Sequence, residues 1–181
     1  MVKVAFCGKM ASGKTTLANN LLELLNDSKK YSFAEKVKEF GRFLFDIPQD
    51  VKDRDKFQRV GDGARKYISG DVWIDAVLNQ CYQDKNIKNF VLDDMRYENE
   101  LLKLKKDGWY AVLIDIDDEL QVQRIQKTYP NDWEKHLEAR NHISETEIDT
   151  IDKNLFDLVV KAENNSKPLD EVINFIVANQ W

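Results

Sequence analysis

The chain has 181 residues, 43% hydrophobic and 33% charged, with a net charge of −5. That length suits one domain with a real core and excludes a second large one. The acidic balance argues against a nucleic-acid-wrapping surface, and no apolar run approaches the roughly 18 residues of a membrane span.

In chain order, the apolar run Val2–Cys7 reads as a strand, with no signal-peptide layout before it. Cys7 and Cys81 lack metal-ligand spacing, and Cys7 reads as a buried, reduced thiol, which predicts a cytoplasmic protein. Gly8 to Thr16 then read GKMASGKTT, in which Gly8, Gly13, Lys14 and Thr15 satisfy G-x-x-x-x-G-K-[ST] at every fixed position. Behind it, Leu17, Leu21, Leu24 and Leu25 recur at helical spacing over Lys14–Asn26. Strand, glycine loop and helix in that order are the context that gives this motif its meaning. The loop backbone wraps a polyphosphate with its N–H groups inward, and the helix start adds its positive dipole end. The chain is therefore expected to bind ATP with Mg²⁺ through Gly8, Ala11, Ser12, Gly13, Lys14, Thr15 and Thr16. In that reading Lys14 reaches the β- and γ-phosphates and the Thr15 hydroxyl ligates the metal.

Further along, strands are predicted at Tyr31–Ala34, Asn89–Asp93, Tyr110–Ile116 and Leu155–Lys161. Between them lie predicted helices at Glu35–Phe45, Lys56–Ile68, Asp71–Gln83, Glu98–Lys106, Glu119–Thr128 and Leu169–Asn179. Strands of continuous apolarity alternating with helices predict an α/β fold, a three-layer sandwich around a five-stranded, mainly parallel sheet. Ligands of such folds collect at the carboxyl ends of the strands, here Gly8, Glu35, Asp94, Asp117 and the Asn164 region. Asp93–Asp94 at a strand end suits a metal carboxylate, and Asp94 is preferred because Arg96 follows two places on. A helix cap or solvated turn is the structural alternative for the acids, and a surface arginine paired with Glu98 or Glu100 is the alternative for Arg96. Lys127 to Asn141 read KTYPNDWEKHLEARN, either a surface loop or a lid that excludes water and delivers Arg124 or Arg140. His136 and His142 have no metal-like spacing.

Four stretches together resemble the deoxynucleoside monophosphate kinases of bacteriophages and their relatives among the phosphate-loop nucleoside monophosphate kinases. Besides the loop these are SFAEKVKE at Ser32–Glu39, QRVGDGARKYISGDVWID at Gln58–Asp75 and LDDMRYENE at Leu92–Glu100, with HISE at His142–Glu145. The resemblance covers most of the chain and implies ATP-dependent phosphorylation of a deoxynucleoside monophosphate, in a host cytoplasm if the chain is phage- or virus-encoded. It carries over Lys38, Arg65, Asp71, Trp73, Asp94 and Arg96 as site residues. One departure is visible: three residues after Arg124, where relatives carry a second lid arginine, stands Lys127.

Transfer between two polyanions needs arginines and no protein base, because the acceptor phosphate is already ionised. Lys38, Arg42, Arg54, Arg59 and Arg65 lie between the second and third strands, where such kinases seat the acceptor, and two or three should touch phosphate. Trp73, Tyr67 and Phe33 are candidates for the nucleobase, with core packing as the alternative. The expected layout is one domain over residues 1–181, with an acceptor region near 35–85 and a lid near 127–143. Lys14, Arg96, Arg124 and Arg140 are the catalytic candidates, and ATP and a nucleoside monophosphate are the expected partners, with a homodimer left open. Competing readings are a kinase of another small acceptor, such as dephospho-coenzyme A or phosphomevalonate, and a nucleotide switch. An alcohol acceptor would need a base, for which Glu35 or Asp93 would serve. A guanine-specifying N-K-x-D is absent, which favours ATP over GTP.

Overall fold

The computed structural model describes residues 1–51, 53–141 and 143–179. One five-stranded sheet runs in the order β2-β3-β1-β4-β5. Its strands are β1 (Lys3–Cys7), β2 (Ser28–Tyr31), β3 (Asn89–Met95), β4 (Tyr110–Asp115) and β5 (Leu158–Lys161). All four pairings are parallel, so the "mainly" of the sequence reading tightens to entirely.

Strand alternation explains the layers. Val4 and Phe6 of β1 pack with Val91, Val112 and Val160 against Leu17 and Leu21 of α1 (Lys14–Leu24) and Val172 and Ile176 of α9 (Lys167–Asn179). Ala5 and Cys7 point the other way, into a cluster with Trp73 and Val77 of α4 (Val72–Gln83) and Leu101 and Leu104 of α5 (Glu98–Lys106). The same cluster takes Val37 of α2 (Phe33–Phe45) and Phe57 and Val60 of α3 (Arg54–Tyr67). A strand covered on both faces has no polar side to present, which is why these runs are continuously apolar.

Two boundaries differ from expectation for local reasons. β2 ends three residues before Ala34, because Ser32 caps α2, its hydroxyl accepting from Glu35 N at 3.2 Å. β5 starts at Leu158 because Asp152 accepts from Asn154 N at 2.9 Å and turns Lys153–Leu155 into a 3₁₀ turn. The expected lid follows α6 (Asp118–Thr128) and folds as α7 (Trp133–Glu138) and a 3₁₀ turn (Ala139–Asn141), with α8 (Ile143–Thr146) leading out of it. Within it, His136 stacks on Tyr129 with ring centroids 3.6 Å apart. Among the described residues, no helix is long and apolar enough to cross a membrane.

Candidate active site

The loop after β1 is shaped by three left-handed backbone positions, Gly8 (φ 153), Ala11 (φ 61) and Gly13 (φ 107). Gly13 precedes α1 without any side-chain cap, and no acidic residue sits in the first turn. The positive end of α1 is thus left for an external anion. A Cβ on Gly8 would stand 2.7 Å from the backbone oxygen of Ile114, so only glycine fits. Gly8→Ala is expected to cost about 1–3 kcal/mol of stability through backbone strain and to abolish nucleotide-induced stabilisation. Thermal melts with and without ATP check this; a variant that melts and responds like the parent contradicts it.

Lys14 is 8% exposed and folds back on the loop, its Nζ donating to the carbonyls of Gly8 (2.5 Å) and Lys9 (2.8 Å). Burial, and then the neighbouring Arg96 charge, push its ammonium down to about 7. The loop forms one wall of a cavity of about 550 Å³, together with Arg124 and the β5–α9 turn at Ala162–Leu169. Ala11, Ser12, Gly13, Lys14, Thr15 and Thr16 all line it, with both threonines exposed.

Arg124 is part of this cavity, with both terminal nitrogens bonded to the loops around it. Its Nη1 donates to the carbonyls of Ala11 (3.1 Å) and Ser12 (2.9 Å), and its Nη2 to Glu163 O (2.7 Å) and Asn164 Oδ1 (3.0 Å). It rivets the phosphate loop to the β5–α9 turn, so the sequence expectation of a swinging Arg124 is corrected. Arg140 lines neither cavity; its Nη2 pairs with Asp118 Oδ1 at 2.6 Å.

A second cavity of about 740 Å³ opens on the other side of the loop. Lys38, Arg42, Arg54, Arg65 and Arg96 line it, as do Phe33, Phe57 and Tyr97. Arg59, exposed and 3.9 Å from Asp55, does not. The guanidinium of Arg65 lies over the Tyr97 ring at 4.9 Å and that of Arg42 over Phe57 at 5.4 Å. Such stacking holds each plane in place with its edge available. Met10 lines this cavity while Ala11, the next residue, lines the first.

Carboxylates in the second cavity are held by backbone. Glu100, 2% exposed, accepts from Arg96 N (2.8 Å) and Tyr97 N (3.1 Å), with Arg65 Nη2 at 3.4 Å. Burial nevertheless lifts its carboxyl to about 7, the Arg96 amide and the Arg65 charge opposing. Glu145, 4% exposed, accepts from Met10 N at 2.6 Å and pairs with Arg96 Nη1. The sequence reading offered Glu100 only as a possible partner of a surface Arg96 and gave Glu145 no role beyond its place in HISE. A glutamate among helical apolar positions, such as Glu100 beside Leu101 and Leu104, is the signal that was there. His142 of that stretch lies outside the described residues.

Three expectations are corrected. Asp94 is not free for a metal: Oδ2 accepts from Ser32 Oγ (2.7 Å) and Ala34 N (2.8 Å), and Oδ1 from Phe33 N (3.1 Å). It anchors the start of α2 beneath the second cavity, and burial raises its carboxyl despite these bonds. The β1–β3 register slips by one residue here, Ala5 opposing Leu92 but Cys7 opposing Met95. By strand alternation Asp93 falls on the other side, with Val91, and meets Lys30 at 3.3 Å, which also reaches Asn19 of α1. Asp71 faces α5, bonding Asn99 Nδ2 (2.9 Å) and Lys103 Nζ (3.0 Å), and lines neither cavity. Trp73 is 5% exposed and donates its Nε1 to Gly61 O at 3.0 Å, which is core packing, and Tyr67 is 78% exposed. Trp73→Phe is therefore expected to lower stability by about 1–3 kcal/mol, leaving the Gly61 carbonyl unpaired. The acceptor KM should stay within about twofold, and a rise near tenfold would return Trp73 to the acceptor site.

No protein-family model matches the chain, and no curated protein does. Solved structures match it end to end. Shikimate kinase from Aquifex aeolicus superposes with a TM-score of 0.56 at 23% identity, covering 98% of both chains. This is the shikimate kinase fold. TT1252 from Thermus thermophilus superposes at 0.61 with 15% identity, over 99% of this chain and 98% of that one. The tunicamycin resistance protein of Deinococcus radiodurans gives 0.55 at 13% identity, over 99% and 95%.

Proposed function

We propose that the chain is a kinase that moves the γ-phosphoryl group of ATP onto a nucleoside monophosphate. The observation that carries this reading is the pair of cavities lined by consecutive loop residues, Ala11 on the phosphate-loop side and Met10 on the arginine side. Guanidinium groups beside aromatic rings suit an acceptor that is itself a phosphate joined to a flat base. The fold shared with shikimate kinase supports phosphoryl transfer to a small molecule. Of the bases the sequence offers for an alcohol acceptor, neither Glu35 nor Asp93 is placed to serve. Glu35 is exposed and held by Lys38 at 2.5 Å, Asp93 is turned toward Lys30, and neither lines the cavity. Asp94 does line it, with both oxygens already accepting.

In this account the ATP tail lies in the loop of Gly8–Thr15, where Lys14 exchanges its two carbonyl partners for phosphate oxygens. Arg96 neutralises charge between donor and acceptor, and Arg65 and Arg42 hold the acceptor from their ring platforms. Mg²⁺, when bound with ATP, would supply charge neutralisation at the phosphates. The residues fit it: the exposed Thr15 hydroxyl stands in the first turn of α1, and Asp93 is the strand-end acid turned toward that helix. Among the described residues no group of three or more His, Cys, Asp or Glu could hold a metal.

A proton should accompany the nucleotide. Lys14 sits near 7 in the ligand-free protein, and a polyphosphate restores it toward its ordinary value near 10.5. Between these values the complex holds more protons than the free protein, so binding takes protons up. The free protein itself gains stability from Lys14 as pH rises through the same window, because the unfolded chain binds the extra proton. Calorimetry of ATP binding at pH 8.5, in buffers of different ionisation enthalpy, should show uptake approaching one proton, absent in Lys14→Met. Identical heats in all buffers contradict the assignment.

The function is tested by thermal shift and coupled ADP assay against ribo- and deoxyribonucleoside monophosphates, with shikimate and dephospho-coenzyme A alongside. A bound monophosphate at a hundredfold excess over Kd adds about 2.7 kcal/mol of stability. ADP release with an alcohol alone refutes the proposal.

A further inference from the structure

Met10 stands where the two cavities adjoin, and its peptide is gripped from both sides of the lid segment. Before the lid, the fully buried Gln121 of α6 donates its Nε2 to Met10 O at 2.9 Å. After the lid, Glu145 of α8 accepts from Met10 N at 2.6 Å and pairs its other oxygen with Arg96. Glu145 thus ties a loop amide to the Arg96 guanidinium and lines the acceptor cavity itself.

A carboxylate this buried beside the meeting point of two polyanions would oppose transfer by repulsion if it stood alone. Paired, it has another effect. An arginine has long rotamer freedom, and holding it costs entropy that a fixed partner removes before substrate arrives. The same oxygen pair fixes the Met10 amide, so the loop edge and the guanidinium keep one geometry relative to each other. Glu145 comes from the segment that follows the lid, so this geometry depends on how that segment is seated.

We propose that Glu145 is a positioning residue for phosphoryl transfer, holding Arg96 against the loop edge at Met10, where the two cavities adjoin. The proposal rests on the kinase reading above for its acceptor, but not for its logic, because transfer to water crosses the same point.

The test is a double-mutant cycle of Glu145→Gln and Arg96→Lys, read as kcat, acceptor KM and acceptor-free ATP hydrolysis. Glu145→Gln keeps size and one acceptor for Met10 N while removing the charge that orients Arg96. It should lower kcat by about 10- to 100-fold, with acceptor KM and ATP affinity within about threefold. Because Glu145 acts through Arg96, the double variant should be no slower than Arg96→Lys alone. Losses that multiply, or a loss that only tracks the folded fraction measured by melting, overturn the proposal. If the parent phosphorylates no monophosphate, the kinase reading fails separately, and the cycle is decided by hydrolysis: non-additive losses support Glu145 as positioning, and multiplicative ones refute it.

Discussion

Lys14→Ala is expected to lower phosphoryl transfer by about 10³-fold while the fold survives. A preorganised charged donor at the transferring group is worth about 10²–10³ in rate, and among the described residues no second lysine lines the nucleotide cavity. The fold should tolerate the change because the two bonds lost are to loop carbonyls, Gly8 O and Lys9 O, beside an exposed cavity where water replaces them. Removing a buried ammonium also removes its desolvation cost, the same cost that pushes its pKa to about 7. The variant should therefore melt at or above the parent temperature while turning over poorly. Turnover within about tenfold of the parent would remove Lys14 from the mechanism.

Arg96→Ala should cost as much in rate and, unlike Lys14→Ala, also cost stability. An arginine that meets a transferring phosphoryl group is worth about 10³ or more in kcat. Its loss leaves Glu145, 4% exposed, without its charge partner. Breaking a buried pair on one side costs several kcal/mol; with Arg96 about a quarter exposed, about 2–3 kcal/mol is expected. Arg96→Met combined with Glu145→Gln should regain most of that stability and none of the activity. Denaturant melts and steady-state rates on the three variants separate the two effects. A double variant as unstable as Arg96→Ala would show that the pair is not what Arg96 contributes to the fold.

The phosphate loop was legible because its function is written in backbone conformation: Gly8 and Gly13 occupy positions that other residues strain to adopt. The continuous apolarity of the strands likewise exposed a doubly covered parallel sheet. β2 was placed late because an edge strand needs few apolar residues; Lys29 and Lys30 sit half-buried there, paired with Asp84 and Asp93. Alternation along β3 puts Asp93 on the Val91 side and Asp94 on the Leu92 side, but the sequence does not say that Ser32, Phe33 and Ala34 occupy both oxygens of Asp94. Arg124 looked like a lid arginine because sequence position does not distinguish a fixed guanidinium from a mobile one. Its partners are carbonyls of the phosphate loop more than a hundred residues away. Trp73 was drawn toward the base by its type, whereas its indole N–H had a carbonyl to satisfy inside the core.

The most direct measurement is ³¹P nuclear magnetic resonance of the intact protein with Mg²⁺, ATP and a mixture of deoxynucleoside monophosphates. Donor and acceptor cavities built as described predict loss of the monophosphate signal and growth of new diphosphate doublets, matched one for one by ADP. Inorganic phosphate alone, or a monophosphate pool left untouched while ATP is consumed, would contradict the central claim that the arginine-lined cavity delivers a phosphate to the phosphate loop.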